Sequence, residues 1–163
     1  MRYLKSALAI LALVIASALT PLPSHAAQTV LTVLGAPDHD GPVPMDMAAL
    51  KALPAASFTT TTTWTQGPQA FTGIYMADFL AAFHVTGGSV KLTAVNDYSV
   101  TVPVSDLRQH EALLAYERNG SVMSVRDKGP LWLVYPFDSD EDLRNEVVYS
   151  RSIWQVVKIE ILQ

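Results

Sequence analysis

The sequence predicts an α+β domain with a mixed or antiparallel sheet and a few short helices. Three observations predict it. Alternating or β-branched segments outnumber helical ones, the helical segments show no βαβ rhythm, and Asn119-Gly120 sits between two strand-like runs as a hairpin signal.

Gln28 to Leu34 alternates weakly and reads as a first strand, closed by Gly35-Ala36-Pro37. Asp38 to Pro44 is turn-rich and reads as a surface loop. Asp46 is placed to cap a short helix that runs through Leu53 and stops at Pro54. Ser57 to Trp64 is β-branched almost throughout, which suits a pleated surface and predicts a strand. Phe71-Thr72-Gly73 then leads into a helix, because Met76, Phe79, Leu80 and Phe83 fall at i, i+3, i+4 and i+7. Gly87-Gly88 ends it.

Val90, Leu92 and Ala94 alternate with polar neighbours and give a half-buried strand. Asn96-Asp97 turns the chain into a second strand with Tyr98, Val100 and Val102 on its apolar side. Ser105 caps a short helical turn after Pro103. Ala112–Arg118 and Ser121–Val125 form the hairpin, and Leu131–Tyr135 reads as a buried strand between two prolines. After the acidic stretch Asp138–Asp142, Ile153–Leu162 is the last strand, with Lys158 and Glu160 on its wet face and Trp154 in the core.

The first residues have a different character. Arg2 and Lys5 precede an uncharged Ala/Leu/Ile-rich run from Ser6 to Thr20, then Pro21 and Pro23, then Ser24-His25-Ala26. A basic start, a short apolar core and a small-x-small exit are the parts of a cleavable signal peptide. The apolar run is short for a spanning helix, which needs about 20 residues. The expectation is a signal peptide over 1–26, a single domain over 27–163, and a periplasmic or otherwise exported product without a transmembrane segment.

Cleavage there removes two of the 11 basic residues and none of the 15 acidic ones, so a net charge of −4 becomes more negative still. An acidic balance argues against nucleic acid, whose binding needs a basic patch. The chain has no cysteine. Disulfides and thiolate chemistry are thereby excluded, and stability must come from packing. GxSxG, GxGxxG and HExxH are absent. Asp38-His39-Asp40 reads as a solvated loop, His84 as a helix-terminal residue, and Asp138, Asp140, Glu141 and Asp142 as a loop lacking calcium-binding spacing.

What remains is an ordered series of segments. Phe71-x-Gly73-x-x-x-x-Asp78-Phe79-Leu80 is followed by Asn96-Asp97-Tyr98-Ser99-Val100-x-Val102-Pro103 and by Leu113-Leu114-Ala115. Gly129-Pro130-Leu131-Trp132-Leu133-Val134-Tyr135-Pro136 and Ser152-Ile153-Trp154-Gln155-x-x-x-Ile159 complete it. In this order, over about residues 55 to 162, the chain resembles the molybdopterin-binding domain of the sulfite oxidase family, including its bacterial periplasmic methionine-sulfoxide reductase branch.

The resemblance implies that family's fold and an oxidoreductase whose cofactor is molybdopterin. Its molybdenum would be held by the pterin dithiolene and one protein cysteine on the strand before the Phe-x-Gly opening. Here Thr59 to Thr63 stand at that place, Trp132 stands where the family has an arginine, and Ile153 stands where it has a lysine. Arg126, Lys128, Arg144 and Arg151 lie near the same motifs and are the cations available to compensate. A family turn that frames the pterin pocket matches Asn96, Asp97 and Tyr98. With Trp64 and Trp132 these make the candidate cofactor-binding pocket; no catalytic or metal-ligating residue is assigned.

Two functions follow. One is an exported molybdopterin-binding-domain-like oxidoreductase without a working cysteine-ligated molybdenum centre. The other is a non-catalytic module on the same fold that binds a small molecule or a partner in the envelope. A purely structural envelope protein is a third reading.

Overall fold

The computed structural model describes residues 28–163, so the basic, apolar and small-x-small stretch at 1–26 lies outside the described residues. Those described form two five-stranded sheets and four short α-helices. Sheet A is built from β1 (Thr29–Leu34), β2 (Val43–Asp46), β5 (Ser89–Ala94), β6 (Ser99–Pro103) and β10 (Val156–Leu162), in the order β2-β1-β10-β5-β6. The β1–β10 pair is parallel, with Val33 opposite Ile159, while β1–β2, β10–β5 and β5–β6 are antiparallel. Sheet A is therefore mixed.

Sheet B is antiparallel. It contains β3 (Ala56–Thr60), β4 (Gln69–Tyr75), β7 (Leu113–Arg118), β8 (Ser121–Val122) and β9 (Trp132–Val134). The order is β3-β4-β7-β8, and β9 also pairs with β7. The helices are α1 (Met47–Lys51), α2 (Met76–Ala82), α3 (Val104–Gln109) and α4 (Glu146–Arg151).

Local chemistry explains most of these elements. Asp46 caps α1 by accepting from the Ala49 amide at 2.7 Å. Met76, Phe79, Leu80 and Phe83 are all buried, as their helical spacing requires. In β5, Val90, Leu92 and Ala94 turn into the core, matched across the ladder by Ile159 and Ile161 of β10. Lys158 and Glu160 keep to the half-exposed face of β10. Asn119-Gly120 closes the β7–β8 hairpin with both residues at positive φ, where Asn and Gly are tolerated.

Several sequence expectations need correction. Gln69–Tyr75 is a full strand, not a lead-in to a helix; it runs into α2 with no intervening loop. The strand at Ala56 ends at Thr60, so Thr61 to Trp64 form a turn. Val43–Asp46 pairs with β1 and shortens the expected loop. Ser105 lies inside α3, whose N-cap is Pro103. Ser121–Val125 is paired only as far as Val122, and Ile153 to Gln155 precede the last strand.

The two sheets meet where β9 faces the residues leading into β10. Leu133 donates to the Ile153 carbonyl at 2.9 Å, Val156 donates to the Leu131 carbonyl at 2.9 Å, and Trp132 and Trp154 form an isolated bridge. This seam supplies the floor of the site described next.

Candidate functional site

Three segments distant in sequence meet at one end of the seam and enclose a cavity of about 440 Å3. Trp64 arrives from the turn after β3. Asn96 and Tyr98 arrive from the β5–β6 turn, beside Ala94. Tyr149 and Ser150 come from α4, and Ser152 to Gln155 from the chain that follows it. A cavity of this size is in the range that holds a small organic molecule.

Its walls are aromatic. Trp64 meets Trp154 edge-on at 5.5 Å between ring centroids and Tyr149 at 5.9 Å. Behind them Trp132 contacts Trp64 at 6.0 Å, Trp154 at 6.1 Å and Phe71 at 5.3 Å. These edge-to-face arrangements hold the rings in fixed orientations and keep their faces from collapsing together. Lys128 sits over the Trp154 ring with its ammonium 4.3 Å from the centroid, a cation–π contact, and does not itself line the cavity.

The polar groups around the cavity are mostly committed to the protein. The Asn96 side-chain oxygen accepts from the Tyr98 amide at 3.3 Å, which fixes the turn. Gln155, at positive φ, donates its side-chain amide to the Val125 carbonyl at 2.6 Å. The hydroxyls of Ser150 and Ser152 donate to the carbonyls of Val147 and Val148 within α4. Among the described residues, no Lys, Arg, His, Asp or Glu lines the cavity.

The expected site residues divide. Trp64, Asn96 and Tyr98 are brought together as cavity walls. Asp97, at φ 64°, instead faces a separate depression beside Thr93 and Lys158. Trp132 is fully buried below the cavity, where its indole N–H donates to the Ser152 carbonyl at 3.3 Å. It supports the wall and is not part of it. Trp154, expected in the core, is half-buried and forms a wall itself. Tyr149 and Gln155 were not indicated by the sequence: α4 is too short to show periodicity, and nothing marks a glutamine held at positive φ.

The threonine run forms a different structure beside this cavity. Asp138 accepts from the Thr61 amide and the Thr61 hydroxyl, each at 2.6 Å, and from Arg144 at 2.6 Å. Those contacts, led by the Thr61 hydroxyl, hold its carboxyl below the ordinary 3.8. Asp138 in turn donates its amide to the Thr60 hydroxyl at 3.1 Å, and Thr62 bonds to Thr65 at 2.8 Å. Thr61 to Thr63 border a smaller depression of about 240 Å3, separated from the aromatic cavity by Tyr149.

A model of the oxidoreductase molybdopterin binding domain family matches residues 20–138. The chain belongs to that family. The solved structure of the sulfane dehydrogenase SoxCD from Paracoccus pantotrophus is similar to the molybdopterin-binding domain described here, with a TM-score of 0.58 at 16% identity. The match covers 80% of this chain but 37% of that one, so the domain spans little more than a third of its length. At this identity the likeness shows the shared fold alone. No curated protein matches the chain in sequence.

The residues of this molybdopterin-binding domain do not fit a cysteine-ligated molybdenum cofactor. No thiolate exists anywhere in the chain, and the threonine oxygens at the expected place are neutral, hard donors, those of Thr60, Thr61 and Thr62 being already engaged within the protein. Among the described residues, no three His, Asp or Glu side chains are grouped to hold a metal. The cofactor's phosphate would need cations, but Arg144 is paired with Asp138, Arg151 with Asp106, Lys128 lies on the Trp154 ring, and Arg126 is exposed and outside the cavity lining. The positions of Trp132 and Ile153 are buried and apolar.

Proposed function

We propose that this chain is an exported, non-catalytic member of the molybdopterin-binding domain family that has kept the fold as a ligand-binding module. A single observation carries the reading: the site is a half-open aromatic cavity with no charged lining residue among the described residues, in a chain without cysteine. An oxidoreductase centre needs a metal or an electron-accepting group held close to substrate. This cavity instead offers shape and hydrogen bonds, which are the requirements of recognition. The basic-apolar-small pattern at residues 1–26 supports export, and a small molecule in the envelope is the partner the cavity suits.

Protein purified from the periplasm of a host that synthesises molybdopterin tests both halves. Elemental analysis is expected to find far less than one molybdenum per chain, with no sulfite or sulfoxide turnover. Intact mass is expected to show a chain beginning at Ala27. Stoichiometric molybdenum with bound pterin would overturn the non-catalytic reading, and retention of Met1 to Ala26 on exported protein would overturn cleavage.

A further inference from the structure

The chemistry of the cavity goes further than the existence of a ligand and defines its class. We infer that the aromatic cavity takes an uncharged, planar ring bearing a carbonyl-type hydrogen-bond acceptor; this rests on the ligand-binding reading above.

Charge is the first constraint. A charged ligand that leaves water for a partly enclosed aromatic site needs a counter-charge, and none lines this cavity among the described residues. Tryptophan faces attract cations, but Lys128 already occupies the Trp154 ring, 4.3 Å from its centroid, so that ring's attraction is in use. An anion would find no guanidinium or ammonium on the wall among the described residues, because Lys128 lies outside the lining and is held on the ring.

Hydrogen bonding is the second constraint. The internal bonds fix the orientation of both side-chain amides: Asn96 uses its oxygen on Tyr98, and Gln155 uses its nitrogen on Val125. Asn96 is left with its amide donors, and Gln155 with its oxygen, neither bonded to another described residue. Asn96 and Gln155 both line the cavity, so an unbonded amide donor and an unbonded amide oxygen are available beside the rings of Trp64, Tyr98, Tyr149 and Trp154. A flat ring with a carbonyl, and preferably an N–H, satisfies both groups while stacking on the walls.

Quinolin-2-one, which is neutral, bicyclic and carries both groups, is the probe. Quinoline-2-carboxylate and N-methylquinolinium are its anionic and cationic counterparts. Binding to the full chain is followed by NMR, through the indole N–H signals of Trp64 and Trp154. Quinolin-2-one is expected to shift both and to bind at least about tenfold more tightly than either charged analogue. Asn96→Asp keeps the oxygen that fixes the turn and removes the amide donor. It is expected to weaken quinolin-2-one by about tenfold. Tyr98→Ala, at a side chain 53% exposed, removes one wall without a core defect and is expected to weaken it as well.

Equal or tighter binding of a charged analogue would overturn the ligand class while leaving a ligand-binding module intact. Unchanged affinity in Asn96→Asp would overturn the assigned donor. Absence of binding by all three probes up to about 10 mM, where a fragment of this size should bind, would overturn the inference. The molybdenum content then decides separately whether the non-catalytic reading stands.

Discussion

Arg151 in the last turn of α4 forms an ion pair with Asp106 in the first turn of α3, and Tyr135 donates to the other oxygen of the same carboxylate at 2.9 Å. This joins the element that carries the Tyr149 wall to the end of β9. The two charged side chains are only 22% and 14% exposed, so water screens the pair incompletely. Arg151→Ala is expected to lower stability by about 1–3 kcal/mol, because it leaves a largely buried carboxylate without its cation. Urea unfolding of the variant and the parent measures it.

Tyr135 makes that cluster sensitive to alkali. Burial, and then the adjacent Asp106 carboxylate, push its phenol above the ordinary 10.0. A raised value means the folded chain keeps a proton that the unfolded chain releases. The stabilising contribution is therefore fully present below pH 10 and is lost progressively as pH rises beyond it. Lys51, raised first by its hydrogen bond to Glu117, acts in the same direction. The urea midpoint should fall more steeply above pH 10 in the parent than in Tyr135→Phe, and equal slopes would contradict this.

Asp138 gives the opposite dependence. Its carboxyl is lowered, so its contribution is present above the ordinary 3.8 and is lost as pH falls through the lowered value. The side chain is a third exposed, so the effect is a local one on the Thr60–Thr65 turn. Asp138→Asn should lower the protection of the Thr61 amide against exchange at neutral pH, relative to its intrinsic rate, and abolish the parent's loss of protection in acid.

Phe79 is completely buried and packs its ring, tilted, against Phe83 with 5.1 Å between centroids. Phe79→Ala should cost about 3–5 kcal/mol by leaving a cavity under α2. A loss below about 1 kcal/mol in chemical denaturation would mean that this helix face is not held in the core.

Gly73 is more demanding still. A Cβ at this position would lie 2.2 Å from the Leu114 carbonyl oxygen and 2.6 Å from the Ala115 Cα, both backbone atoms of the adjacent strand. Gly73→Ala should therefore cost about 3 kcal/mol or more and loosen the β4–β7 ladder, which circular dichroism and denaturant midpoints would both register.

The same glycine shows why part of the fold was legible and part was not. The helical face from Met76 to Phe83 and the alternation from Val90 to Ala94 follow single periods, so each could be read directly. In β4 the register shifts between Thr72 and Gly73, which breaks the two-residue alternation and hides the strand ahead of the helix. No breaker separates Tyr75 from Met76, so strand and helix read as one approach. In the site, the turn at Asn96 and Tyr98 was recognisable from its residues. Trp132 was expected at the pocket and Trp154 in the core, and the structure has them the other way round, because the crossing of β9 with the approach to β10 buries the first and uncovers the second. The Tyr149 wall depends on α4, a helix with one buried residue.

The position of β10 has a consequence for synthesis. Sheet A places the last of its described strands in chain order in the middle, between β1 and β5, with β1 the earliest described strand. Until Val156–Leu162 emerges from the ribosome, the β2–β1 pair and the β5–β6 pair have no hydrogen-bonded neighbour to join them. A nascent chain therefore cannot close this sheet early, however slowly it is translated, and its apolar edges stay open to whatever holds unfolded chains. Closure of sheet A must wait for Val156–Leu162, which leaves its four other strands threadable until that segment is made.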